Sequence, residues 1–504
     1  MRKIIVLIFL FSIINTIYSQ NKKLEKADLL FEQFNFNKAL SKYLQLKKDG
    51  ISPYHVSLKI ADCYRQLQDY YDAEQWYKEV MLFPDYTPEI NFYLGQVLIQ
   101  QGKQNEAVDY LKNYFDQNNS ASFKLISKDY LTYLTILEEQ HDYNIINIPV
   151  NSKYSDFAPT WHQTKLYFSS NRPANTIIKR GDVRTNIAFY NIYESKINDN
   201  KFEEPVKADP AFNSRYNDGP ICFSDIGDLA FITRNDIVKG PKKSQLDIVI
   251  SKFRNEQWTK EVDRLSTKDK NYSIAYPFIT KDLSRLYYAS NMPGGYGGMD
   301  IYYSEFSNGF LSAPVNLGPE INTPGNETFP FLTDDRILYF TSDGHPGLGG
   351  FDIYYANLSN TDDIIVFNLG APINTKSDEM GFSFGNDPQT AYFSSNREGG
   401  VGSDDIYEVR LNSILQYTKI EGKTMGIDKF PLNGTIVTVF DNDNKTFNEV
   451  ETNDTGEFKF YVPDNHSYKI VFKRRFYNNK EIVINQSDLN NETSIQLEII
   501  LNKN

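Results

Sequence analysis

The chain has 504 residues, of which 40% are hydrophobic, 23% charged and 14% aromatic, including 35 Tyr and 35 Phe. That composition excludes disorder and collagen-like order and suits two to four domains of ~100 to 200 residues each. With 53 Lys and Arg against 65 Asp and Glu, the formal charge is −12 and no run of five basic residues occurs, so nucleic acid is not an expected partner.

The chain begins with Arg2 and Lys3 ahead of the apolar run Ile4 to Ile14, then turns polar toward Ser19 and Gln20. Residues 1–20 read as a secretory signal peptide, with cleavage expected between Ser19 and Gln20. This run of eleven residues, apolar except for Ser12, falls short of the ~20 that a bilayer-spanning helix needs, and no later stretch reaches that length. No cysteine lies near the cleavage region to carry a lipid. Cys63 and Cys222, 159 positions apart, are expected to be small buried groups, not a disulfide or a metal site.

Residues 21–141 repeat every 34 positions. Ala39, Ala73 and Ala107 form one column, Ala27, Ala61 and Gly95 a second, Leu30, Tyr64 and Leu98 a third, and Tyr43, Tyr77 and Leu111 a fourth. Small and large residues 3 or 4 apart share one helical face, where two antiparallel helices approach closely. The pattern resembles the tetratricopeptide repeat in three helix-turn-helix units, and the resemblance implies a concave groove for docking a peptide or protein. By repeat position, Lys59, Arg65, Gln66, Asn91 and Gln96 are the candidate groove residues. The alternative is that the helices only pack against the next domain.

Residues 142–412 carry five copies of a second pattern. The strings Ser169-Ser170-Asn171-Arg172 and Ser394-Ser395-Asn396-Arg397, with relatives near 233, 290 and 342, end one strand; Asn191, Asp247, Asp300, Asp352 and Asp405 each begin the next, at steps of 56, 53, 52 and 53. Short strands at a period of about fifty predict a five-bladed β-propeller. Connectors of an apolar residue, Asn and Ser or Thr stand between blades, at 212–214, 321–323 and 373–375, with a weaker copy at 265–267. A further copy, Val150-Asn151-Ser152, precedes the first blade, so the strand at Ile145 to Val150 is expected to complete the last blade and close the ring. The strings resemble the PD40 or TolB-type propeller family.

Two motifs of the propeller, and the histidines of the whole chain, invite a chemical reading. The loops at 295–300, 347–352 and 400–405 are Gly-rich but lead into strands, so they are expected to be turns; calcium at their acidic ends would need about six oxygens. Gly381-Phe382-Ser383-Phe384-Gly385 fits a nucleophile elbow in spacing only, since it falls on an inner strand. The histidines at 55, 141, 162, 345 and 466 form no metal motif. No catalytic residue, metal site or cofactor is therefore expected.

Residues 413–504 alternate apolar and polar between turns and predict a small antiparallel sandwich. Pro431-Leu432-Asn433-Gly434 and Asp454-Thr455-Gly456-Glu457-Phe458 resemble the carboxypeptidase regulatory-like domain. The expected fold class is thus multidomain: an α-helical TPR solenoid, a five-bladed all-β propeller and a small β-sandwich. In that order the modules resemble Bacteroidetes envelope proteins, including the peptidoglycan-associated component of type IX secretion, whose OmpA-like domain and lipid-bearing cysteine have no counterpart here. The resemblance implies a non-enzymatic scaffold or adaptor in the periplasm or on the periplasmic face of the outer membrane, with the cell surface or secretion as alternatives. Its partners would be envelope proteins, such as an outer-membrane protein of a secretion assembly, and without an OmpA-like domain direct peptidoglycan binding is not expected. A carbohydrate-binding envelope protein and a propeller hydrolase or lyase are the competing readings.

Overall fold

The computed structural model describes residues 20–31, 36–118, 130–139, 143–173, 189–198, 201–236, 245–260, 263–265, 272–307, 310–359, 364–411, 417–442, 444–464, 466–489, 492 and 494–504. Residues 1–19 of the leader, His141 and the connector residues Ser266 and Thr267 lie outside them.

The N-terminal helices are α1 (residues 20–31), α2 (Phe36–Lys48), α3 (Pro53–Gln66), α4 (Tyr70–Val80), α5 (Glu89–Gln100), α6 (Gln104–Asn118) and α7 (Tyr130–Glu138). Each start or seam has a local cause. Pro53 occupies the first turn of α3, and the Asp69 carboxylate caps α4 by accepting from the Asp72 amide. The small column seats helix against helix: a Cβ on Gly95 would lie 2.4 Å from Leu111 Cγ, so only glycine lets α5 meet α6 there.

These helices do not form the expected self-contained TPR solenoid, and the fold class is corrected accordingly. The molecule is predominantly β, and the inner face of α3 and α5 is covered by the fourth blade of the propeller. One apolar cluster runs from Ala61, Tyr77, Leu98 and Leu137 of the helices through Leu348, Ile365 and Phe367 of that blade to Tyr417 and Tyr461 of the C-terminal sandwich. The helical layer therefore buries its apolar surface on the β domains as well as on itself.

Five sheets of antiparallel strands make the ring. Their innermost strands, Asp156–His162, Asp218–Phe223, Ile274–Ile279, Glu327–Leu332 and Glu379–Phe384, neighbour one another in a closed cycle around a channel. The strand Asn144–Asn147 pairs antiparallel with Asp405–Arg410, Ile145 opposite Val409, so the last blade takes its outermost strand from before the first. Ile148 and Val150 then plug the seam between the fifth and first blades, while Ile146 is left 42% exposed. The sandwich stacks a sheet of Glu457–Pro463, Tyr417–Gly426 and Ser494–Leu501 on one of Thr446–Glu451, Ile436–Phe440, Tyr468–Lys473 and Lys480–Ile484.

Candidate functional site

The repeated strings are seam chemistry, and their roles decide what remains free for function. The connector asparagines act as a missing strand. Asn151 accepts from the Ile406 amide and donates to the Ile406 carbonyl, both at 2.8 Å, and Asn213, Asn322 and Asn374 treat Ile192, Ile301 and Ile353 likewise. The connector hydroxyl caps a buried acid that opens the next inner strand, as Ser152 does for Asp156 and Thr375 for Glu379.

The Ser-Ser-Asn-Arg string completes the same knot. The first hydroxyl reaches the following blade: Ser394 Oγ accepts from the Ala158 amide at 2.9 Å and Thr233 Oγ1 from the Tyr276 amide at 2.9 Å. Those amides belong to bulges whose residues take positive φ, 56° at Ala158 and 58° at Tyr276. The arginine then pairs with the acid: Arg172 with Asp156 at 2.6 Å, Arg234 with Asp218 at 2.6 Å, Arg397 with Glu379 at 3.1 Å. Each also donates to a connector carbonyl, of Val150, Phe212 or Ile373.

The tempting motifs are consumed in the same way. Asp300 accepts from the Tyr296 and Gly297 amides and Asn316, Asp352 from Leu348, Gly349 and Asn368, Asp405 from Val401, Gly402 and Asn147. N–H donors occupy the lone-pair directions that a cation would need, so the Gly-rich loops are carboxylate caps. Ser383 Oγ donates to the Pro159 carbonyl at 2.8 Å from within an inner strand. Among the described residues no group of three or more His, Cys, Asp or Glu is placed to hold a metal ion. His345 is partly buried and desolvation lowers its pKa to about 4, so its neutral ring donates through Nε2 to the Ile321 carbonyl.

That bond marks the blade that differs. In the fourth blade Gly344 and His345 follow Asp343 where the first and fifth carry Asn-Arg, and among the described residues no Lys or Arg pairs with the blade's acid, Glu327. Burial raises the Glu327 carboxyl to about 8, opposed by hydrogen bonds from Ser342 and Thr323. A Cβ at Gly344 would lie 1.8 Å from Thr323 Oγ1. The helices dock here: Arg65 lies 3.8 Å from Asp343, Gln96 Nε2 donates to the Asp343 carbonyl at 2.8 Å, and Tyr93 donates to the Pro324 carbonyl at 3.5 Å.

The sequence-predicted groove residues are placed accordingly. Arg65 and Gln96 are joined to the propeller, and Gln66 lines the cleft beside them with Asp343 and Asp378. Lys59 lies 3.1 Å from Asp62 and over the Phe31 ring at 4.1 Å, and Asn91 is buried, its amide donating to the Pro88 carbonyl at 3.4 Å. These five residues do not assemble into one open groove.

The surface that the sequence reading did not single out is the channel. All five inner strands line a cavity of about 120 Å³, through Trp161, Phe223, Tyr276, Phe278, Phe329, Phe331 and Phe384 among others. The rings of Tyr276 and Phe329 lie 4.2 Å apart, and those of Phe278 and Phe331 4.9 Å. Their shared signal is an aromatic recurring between the third and sixth residues of each inner strand, a position too variable to form a fixed column in the sequence.

No family model and no curated protein matches the chain. Solved structures are similar at low identity. A putative TolB from Agrobacterium tumefaciens is 16% identical, with 64% of this chain and 97% of that chain covered at a TM-score of 0.29. Xylan β-1,4-xylosidase from Bacillus halodurans C-125 is 10% identical, covering 70% and 94% at 0.34. The 3-chlorocatechol 1,2-dioxygenase of Rhodococcus opacus 1CP is 10% identical at 0.15, and there the match covers 19% of this chain and 62% of the dioxygenase, less than two thirds of its length. Further similar structures include a family-43 glycoside hydrolase, two α-L-arabinofuranosidases and a β-xylosidase. The expectation of a non-enzyme is therefore withdrawn, and likenesses this distant transfer no activity to the chain.

Proposed function

We propose that this chain is an exported cell-envelope protein whose propeller docks partner polypeptides at the channel mouth. The observation that carries the reading is the division of surfaces: the inner face of the helices is spent on blade four, whereas the half-buried aromatic rings of the channel remain open. Rings already packed against one another lose little freedom on binding an apolar segment. Export, a periplasmic location and an envelope protein as partner rest on the leader and on the order of the modules. A carbohydrate ligand is the second reading, favoured by flat ring faces such as Trp161 and Tyr276 that would stack on sugar rings.

A photo-crosslinking side chain at Phe331, tested in the native cell, separates these readings. Protein adducts at Phe331, with only intramolecular adducts from the same probe at Gln96, are the expected result. No protein adduct at Phe331, together with binding on a glycan array that Trp161→Ala abolishes, would overturn the polypeptide reading in favour of the carbohydrate one.

A further inference from the structure

The C-terminal sandwich has a base and a tip. Tyr417, the first residue of its central strand, stacks on Phe367 of blade four at 4.5 Å, and His466 contacts Glu139 beyond α7 at 2.6 Å. The same strand runs ten residues to Gly426, which pairs with Leu501, so its far end stands about 30 Å from that base at ~3.3 Å per residue. At the far end the turn after Gly426, the Asn433-Gly434 turn, the turn at 453–456 and the loop after Lys473 come together. Arg474 donates to Asn433 at 3.2 Å, the Gly456 amide donates to the Asn453 carbonyl, and the Asn504 amide donates to the Phe476 carbonyl.

Three large apolar side chains project from these turns: Ile427 is 78% exposed, Phe430 69% and Phe476 70%. Phe476 is held outward by a backbone at φ 71°, a left-handed conformation that a bulky residue rarely adopts. Around them stand Lys429, Arg474, Arg475 and Lys503, with the Arg475 guanidinium 4.7 Å over the Phe476 ring. Asp428, Glu451, Asp454 and Glu457 are the acids of the same end, Glu457 accepting from Asn453 and Thr455. The cations gather beside the Phe476 ring, through Arg474, Arg475 and, across the bridge from Tyr477, Lys503, in a chain whose net charge is −12.

We propose that this tip docks on an anionic lipid surface. Ile427 and Phe430 project from one turn, and Phe476 stands at the rim of a shallow concavity that it shares with Arg474 and Arg475, so protruding apolar groups and a polar hollow lie side by side, which suits insertion among lipid headgroups. Arg and Lys at the base of the rings would meet lipid phosphates while their stems lie along the apolar layer. Because the base is fixed to blade four and α7, the tip would carry the whole molecule to the surface. The inference is independent of what the propeller channel binds.

Sedimentation of the full chain with phosphatidylglycerol vesicles, and with phosphatidylcholine vesicles in parallel, tests it. The expected result is retention on the anionic vesicles, weakened by salt, and little on the neutral ones. Arg474→Glu with Arg475→Glu, and separately Ile427→Ser with Phe430→Ser and Phe476→Gly, should each lower retention about tenfold or more. Phe476→Gly alone suits the left-handed backbone, so its loss of binding should come with an unchanged or higher melting temperature. No retention on anionic vesicles, or retention untouched by either combined variant, would overturn the proposal. So would concentration-dependent dimerisation lost with the same apolar residues while vesicles bind nothing, which would assign the tip to a protein contact.

Discussion

A buried acid fixes the start of four of the five inner strands, and the partner it receives decides how each blade behaves. Glu379 has Arg397, whose guanidinium also holds the Pro372 and Ile373 carbonyls. Arg397→Ala leaves the carboxylate uncompensated, and urea unfolding should show a loss of about 3 to 5 kcal/mol. Glu327 lacks such a cation, and its carboxyl sits near 8 in the folded state against an ordinary value of 4.5. A raised folded pKa stabilises at low pH, so this contribution is complete below about 4.5 and fades as the pH rises toward 8. Glu327→Gln should therefore flatten the fall in stability between pH 5 and 8 and gain a few kcal/mol at pH 8, at ~1.4 kcal/mol per pH unit. Asp352, raised in the same direction, keeps some slope in the variant. A steeper fall in Glu327→Gln would show that the carboxylate is held charged. The recurring strings were legible in the sequence at this scale. What each residue bonds was not, because Asp156, Asp218 and Glu379 meet their arginines, and Glu327 its hydroxyls, only once the strands are in register.

Among elements, the latch shows both how far periodicity reaches and where it stops. An extra connector copy at Val150-Asn151-Ser152 announced that a strand before the first blade would close the fifth, and Asn144–Asn147 does so. The faces of that strand were not legible: Ile145, Ile146 and Ile148 look alike in sequence, yet only Ile148 sits fully in the seam, with Leu166, Phe168 and Ile406. Ile148→Ala should cost about 2 to 5 kcal/mol in thermal or urea unfolding, whereas Ile146→Ala should stay within about 0.5 kcal/mol. A larger loss for Ile146→Ala than for Ile148→Ala would mean that the strand pairs with its faces reversed. The helices make the same point. Their small-residue columns predicted seams such as Gly95 against Leu111, but a repeat pattern does not say what its outer face will meet.

At the scale of the whole molecule, the helices, the propeller and the sandwich share one apolar cluster, and the dock on blade four is built where that blade departs from the repeat. Gly344 in place of a side chain and Asp343 in place of Asn were visible as departures, but Arg65 and Asp343 are far apart in the chain and nothing in either string names the other. The expected groove became an internal interface for that reason. The central claim is that the helical layer and the propeller are one cooperative body, and native-state hydrogen exchange in increasing urea tests it most directly. The amides of Glu89–Gln100 and those of the blade-four strands Ile337–Ser342 and Asp352–Asn357 should open with the same free energy and the same urea dependence, and Asp343→Lys should lower both together. Helical amides that open at much lower free energy and shallow urea dependence, while the blade stays protected, would contradict it.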